Sequence, residues 1–237
     1  MNTIANKTLS QIVTEHYGAA RVFEKWGLDF CCRGKRALNE ACFEKGAPLA
    51  QVFADLEEVL GAQNTAQGPD FSSLSITELA DYIVRVHHGY IRLCGPQTFN
   101  YVAKVASKHG DRFPHLRDIH LLFGELLQEL AEHMAKEEKI LFPRMKQLER
   151  NDLTGTPGDF LLVPVSVMED DHELAGGLMT QIRVLASDYR TPEGAGGTHR
   201  LALAALRAFE EDLHQHVHLE NNILFPKALR RFAEQSC

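Results

Sequence analysis

A chain of 237 residues with 44% hydrophobic content holds enough apolar material for one large or two modest globular domains. Its formal charge of −7 lacks the basic footprint of a nucleic-acid or anionic-membrane binder, so neither partner is expected. No run approaches the roughly eighteen apolar residues of a membrane span, and Met1-Asn2-Thr3-Ile4-Ala5-Asn6-Lys7 lacks a signal-peptide core; a cytoplasmic location is expected, with the five cysteines kept as thiols.

Apolar residues recurring at three and four predict short helices over residues 9–13, 19–26, 37–42 and 49–56, the second stopped by Gly27. Between the second and third stands Leu28-Asp29-Phe30-Cys31-Cys32-Arg33-Gly34-Lys35. Two adjacent thiols beside Arg33 and Lys35 are expected to gain thiolate character from the nearby positive charge. Free cysteines are often only small apolar packing residues, and that reading suffices for Cys94 and Cys237. Cys31 and Cys32 cannot both point easily into one core, so they are candidate redox, docking or metal-handing thiols, with Cys42 as a third candidate.

Residues 61–73 are polar and aperiodic and read as a linker. Ser75-Ile76-Thr77-Glu78 then has the spacing of a capping box and opens a first long helix, in which Pro96 is expected to produce a kink. A turn at His109-Gly110-Asp111-Arg112-Phe113-Pro114 leads to a second long helix over 115–150. A loop at 151–159 precedes a third helix starting near Val165, and Thr191-Pro192-Glu193-Gly194-Ala195-Gly196-Gly197 precedes a fourth over 198–232. The expected fold is all-α: a small helical N-terminal domain at 1–62 and an up-down-up-down four-helix bundle at 74–237.

One motif recurs. His133-Met134-Ala135-Lys136-Glu137-Glu138-Lys139-Ile140-Leu141-Phe142-Pro143 returns as His216-Val217-His218-Leu219-Glu220-Asn221-Asn222-Ile223-Leu224-Phe225-Pro226, displaced by 83 residues. A His and a Glu four apart sit one above the other on a helix, so each copy aims an imidazole and a carboxylate at one point. An isolated His-x-x-x-Glu is more often a surface charge pair. A surface pair has no reason to recur with the same Ile-Leu-Phe-Pro, read here as apolar bulk entering the core one turn beyond.

The halves also match as helix pairs: His87 precedes His133 by 46 residues and His172 precedes His216 by 44. The expected metal ligands are therefore His87, His133, Glu137, His172, His216 and Glu220. His87 is preferred to His88 because Ile83 and Ile91 lie above and below it on one apolar stripe, and Glu137 to Glu138 because the repeat sets Asn221 opposite the latter. His214 and His218 should point off this axis. If Glu137 and Glu220 bridge, the six residues fill eight of about twelve positions on two six-coordinate ions, leaving room for a bridging oxygen and an open position. With no cysteine in the set, iron or manganese is favoured over structural zinc.

These residues resemble the bacterial iron-sulfur cluster repair di-iron proteins, the repair-of-iron-centres family. The resemblance runs through Leu28 to Lys35, His133 to Glu138, Ser166-Val167-Met168-Glu169 and His216 to Pro226. It implies a hemerythrin-like bundle with two iron ions held by four His and two bridging carboxylates, together with an oxo or hydroxo bridge. It implies repair of iron-sulfur clusters damaged by nitrosative or oxidative stress by iron donation, with damaged iron-sulfur proteins as partners and nitric oxide or dioxygen as small ligands. Capture or reduction of nitric oxide is the alternative activity, and a homodimer through the small domain is open although no heptad seam demands it. Oxygen-carrying hemerythrins are similar in architecture but differ in ligands. They would carry His four residues after His172 and Asp five after His216, where this chain has Gly176 and Asn221.

Overall fold

Among the residues described by the computed structural model, 2–61, 70–152 and 160–235, every regular element is helical, and the only sheet-like pairing is an isolated bridge between Thr8 and Ala37. Most of the expected linker, most of the loop expected at 151–159 and Cys237 lie outside the described residues. No helix among the described residues is long and apolar enough to cross a membrane.

The N-terminal part contains α1 (Asn2–Ala5), α2 (Leu9–Glu15), α3 (Ala19–Trp26), α4 (Leu38–Lys45) and α5 (Leu49–Gly61). Local chemistry sets their ends. Thr8 and Gln11 form a capping box on α2, while Gly27 and Gly46 close α3 and α4 in the left-handed conformation, with φ of 63° and 69°. Trp26 and Lys25 both donate to Asp55, tying α3 to α5.

The first long helix comprises α6 (Ile76–Ile83), a π-helical turn (Val84–His88) and α7 (Gly89–His109). Its expected capping box forms, since Ser75 Oγ accepts from Glu78 N and Glu78 accepts from Ser75 N. The helix runs on through Pro96, and its irregularity falls earlier, at Val84–His88. The second comprises α8 (His115–Lys136), a π turn (Glu137–Leu141) and α9 (Phe142–Glu149). The third is α10 (Leu162–Leu185). The fourth comprises α11 (Gly197–Leu219), a π turn (Glu220–Leu224) and α12 (Phe225–Gln235). α7 packs on α8 and α11, and α8 packs on α10.

The apolar core divides into two clusters. One holds Ile83, Leu141, Phe142, Met168, Leu219 and Phe225, and the other holds Ile91, Phe123, Leu130, Ala175, Phe209 and Leu213. Following the chain, the first long helix passes from the former cluster to the latter, the second returns, the third repeats the first and the fourth the second. That alternation is the up-down-up-down topology. On all four helices the changeover falls at a buried histidine or glutamate, so a polar layer separates two dry ones. Each large side chain buried in those layers contributes about 1.5–3 kcal/mol. Leu9, Phe23, Phe30, Leu38 and Leu56 of the N-terminal helices belong to the second cluster, which makes their apolar core continuous with one half of the bundle.

Candidate metal centre

The two copies of the repeat fold alike for a backbone reason. In each, the Glu opens a π turn, and the N–H of the Phe five residues on bonds the Glu carbonyl: Phe142 to Glu137, Phe225 to Glu220. The following Pro143 and Pro226 cannot donate, and in an α-helix their rings would meet the carbonyl four residues back. Widening the turn by one residue relieves that clash. Leu141, Phe142, Leu224 and Phe225 enter the core as expected. Ile140 does not: it stays 48% exposed, whereas its counterpart Ile223 is buried.

The same device changes which histidine the first helix turns toward the other donors. Ile83 and Ile91 are both buried, but the π turn at Val84–His88 inserts one residue between them. His88 therefore faces the centre. His87 is displaced from the expected set; its Nδ1 lies 3.0 Å from Asp212, and its ring stacks on that of His216 with centroids 5.8 Å apart. No proline announces this turn. The helix-pair spacing carried a hint, since His88 precedes His133 by 45 residues, closer to the 44 of the second half.

His133, Glu137, His172, His216 and Glu220 converge with His88 into two groups, His88–Glu137–His216–Glu220 and His133–Glu137–His172–Glu220. In each, the donor atoms lie within 4.8 Å of one another. Both carboxylates belong to both groups. Nε2 of His88 and of His133 lie 3.2 and 3.3 Å from Glu137 Oε2, and Nε2 of His172 and of His216 lie 3.0 and 2.9 Å from Glu220. None of the six residues is more than 3% exposed.

Outward-facing acceptors orient the rings. Nδ1 of His88 faces Glu138 at 2.7 Å, Nδ1 of His133 faces Asp171 at 3.3 Å, and Nδ1 of His172 faces Asn221 at 2.8 Å. Arg92 and Lys136 in turn hold Glu138 and Asp171. With Nδ1 donating outward, each Nε2 turns its lone pair inward, the tautomer that metal-bound imidazoles use. These partners were not anticipated from the sequence, although Glu138 and Asn221 occupy matching places in the repeat.

The donor set fits a cation. Glu137 Oε1 and His216 Nδ1 are buried with no hydrogen-bond partner, and Glu137 Oε2, Glu220 Oε2 and His88 Nε2 have only the imidazole–carboxylate contacts above, none aligned as a hydrogen bond. Each such orphan costs about 1–3 kcal/mol unless something satisfies it. Nε2 of His133 and Nε2 of His172 also meet at 3.0 Å. Burial would push both carboxyls up, but the imidazoles hold them down, Glu220 well below the usual range through His216 and His172. Burial would likewise lower His133, yet the Glu137 charge raises it to about 9. Protons on imidazole thus balance the two carboxylates, and a bound cation replaces those protons.

The dithiol loop lies against this layer. Cys32 Sγ is 3.8 Å from the His172 carbonyl and 3.6 Å from where a Cβ on Gly176 would stand. Asn222, two residues beyond Glu220, donates to the carbonyls of Phe30 and Cys31. The thiolate character expected from Arg33 and Lys35 is reversed at Cys31. Both cations are exposed, and the Cys32 thiol, burial and the Asp29 carboxylate all push the Cys31 thiol up. His214 and His218 face away from the ligand layer, as expected: His214 bonds Glu24, and His218 packs edge-on against Phe30.

Two family models match the chain: ScdA_N, described as a domain of unknown function, over residues 5–60, and the hemerythrin HHE cation binding domain over residues 78–228. The chain is 31% identical to a probable iron-sulfur cluster repair protein of Haemophilus influenzae over 96% of its own length and 98% of the relative's. It is 31% identical to the iron-sulfur cluster repair protein YtfE of Yersinia pseudotuberculosis, over 95% and 97%. It is 33% identical to the iron-sulfur cluster repair protein ScdA of Staphylococcus haemolyticus, over 94% and 99%.

Proposed function

Because the chain belongs to the iron-sulfur cluster repair family built on a hemerythrin HHE cation binding domain, we propose that it restores damaged iron-sulfur clusters with iron held between its four long helices. The observation that carries this reading is the sharing of Glu137 and Glu220 between two four-donor groups. Two carboxylates common to both groups suit a pair of ions, with His88 and His216 on one and His133 and His172 on the other. Two ferrous ions in such a site supply exchangeable, redox-active metal in a dry pocket. On this reading they are cargo for a client protein in the cytoplasm.

The chain's own residues do four things here. The Nε2 atoms hold the ions, and the carboxylates balance their charge. The outward Nδ1 contacts fix ring orientation, and the apolar layers above and below exclude water. At Gly176, where a hemerythrin would present a further imidazole, this chain supplies no ligand. One donor fewer favours release over reversible oxygen carriage. The units 1–62 and 74–237 then divide the work, the first presenting Cys31 and Cys32 as docking thiols and the second storing metal.

The test is reactivation of a cluster enzyme inactivated by nitric oxide. Iron-loaded protein should restore activity in proportion to iron lost, and His133→Ala should not. Rescue by His133→Ala equal to that of the parent would refute donation from this centre. A stable nitric oxide adduct with full iron retention would favour nitric oxide capture instead.

A further inference from the structure

Outside the bundle layer, Asp29, Cys31 and Cys32 bring three ligand atoms within 4.8 Å of one another. Cys31 Sγ lies 3.7 Å from Cys32 Sγ and 3.3 Å from Asp29 Oδ1. Two thiolates on one tetrahedral ion, with metal–sulfur bonds of about 2.3 Å, stand about 3.8 Å apart, and a thiolate and a carboxylate oxygen stand about 3.5 Å apart. The loop already holds Cys31 near both separations, with Cys32 Sγ and an Asp29 oxygen within 4.8 Å of each other. Asp29 Oδ1 is fixed by the backbone N–H groups of Cys31, Cys32 and Arg33. Gly34 closes the loop where a Cβ would come within 2.1 Å of the Phe30 carbonyl. Asn222 fastens the other side to the helix that carries Glu220.

We infer that Asp29, Cys31 and Cys32 form a third metal site, for a divalent first-row cation such as ferrous iron, which receives the ion leaving the His133–His172 position. Placement supports the transfer. Cys32 reaches the His172 carbonyl across Gly176, and the loop lines a cavity together with Glu173, Gly176 and Gly177. Three protein ligands leave a fourth position for a client's own ligand, as befits a site that passes metal on. Binding displaces one proton from each thiol to solvent and forms two metal–sulfur bonds. The ion stays divalent, so no electron moves. The site stands on its own geometry, whereas its role in transfer rests on the repair reading.

Full-length protein, loaded with two equivalents of ferrous iron per chain to fill the bundle and then desalted, is titrated anaerobically with cobalt(II). A further equivalent should bind with thiolate-to-cobalt charge-transfer absorption. Asp29→Asn keeps an acceptor oxygen for the three backbone N–H groups and so preserves the loop, which its unfolding midpoint checks, yet it should weaken this binding ten- to hundredfold. Cys31→Ser with Cys32→Ser should abolish the absorption. No thiolate absorption, or an Asp29→Asn titration identical to the parent's, overturns the site. Iron capture by a ferrous chelator should slow about tenfold in Asp29→Asn, and an unchanged rate overturns the transfer role. In a His133→Ala/His172→Ala chain the thiolate absorption should persist while retained iron falls. Retained iron that does not fall counts against the bundle assignment alone, and loss of the thiolate absorption overturns the separate site.

Discussion

Asn221 accepts a hydrogen bond from His172 Nδ1 at 2.8 Å, one residue beyond Glu220, as Glu138 faces His88 Nδ1 one residue beyond Glu137. The repeat therefore duplicates the ring supports as well as the ligands. It duplicates them unequally, with a carboxylate on one side and a neutral amide on the other. An imidazole backed by an amide is the weaker base. Asn221→Asp should tighten the metal held by His172, whereas Asn221→Leu should loosen it ten- to hundredfold. Competition against a calibrated chelator measures both, and equal affinities in the two variants would remove Asn221 from this role.

Acid should loosen the cap of the first long helix. Glu149 accepts from the N–H groups of Ile76 and Thr77, where the dipole of α6 favours negative charge. Burial would push its carboxyl up, but the hydrogen bonds from Thr77 and Ile76 outweigh this and hold it below the ordinary glutamate value of about 4.5. A lowered folded-state value stabilises the protein above 4.5, and that contribution is lost as pH falls through the folded value. Glu149→Gln should lower the unfolding midpoint near neutrality, and its difference from the parent should shrink as the pH falls below 4.5, in melts followed by circular dichroism.

The dithiol loop should be sensitive to a single methyl group. Gly34→Ala places a Cβ against the Phe30 carbonyl, which has to shift and take with it the contact from Asn222. A loss of about 1–3 kcal/mol is expected, as for other overpacked sites. Gly176→Ala fits, since its Cβ would meet Cys32 Sγ at 3.6 Å, an ordinary contact. Gly176→Leu does not, and should raise the reactivity of Cys32 toward a thiol reagent by displacing it. Equal labelling rates in the Ala and Leu variants would contradict this packing.

Much of this architecture was legible in the sequence because its signals are local. Gly27 ends α3 and Ser75 with Glu78 begins α6, each through chemistry contained within a few residues. Five of the six expected residues converge in the two donor groups, four of them because the repeat fixes a His and a Glu four apart at the same place in each copy. His88 stands in the donor group where His87 was expected, because a π turn shifts register without a proline to announce it while the stripe of Ile83 and Ile91 survives the shift. The thiol environment was missed for another reason. Arg33 and Lys35 are neighbours in sequence but point to solvent, while Asp29 folds back over the sulfurs. Charge proximity along a chain is a weak guide to charge proximity in space.

The sharpest test compares two adjacent histidines. Iron content and iron K-edge absorption would be measured on His87→Ala and His88→Ala, purified anaerobically beside the parent. The centre described here predicts that His88→Ala loses about half of the bound iron and one imidazole scatterer, while His87→Ala keeps both. Full iron in His88→Ala with loss in His87→Ala would return His87 to the metal and contradict the register set by the π turn at Val84–His88.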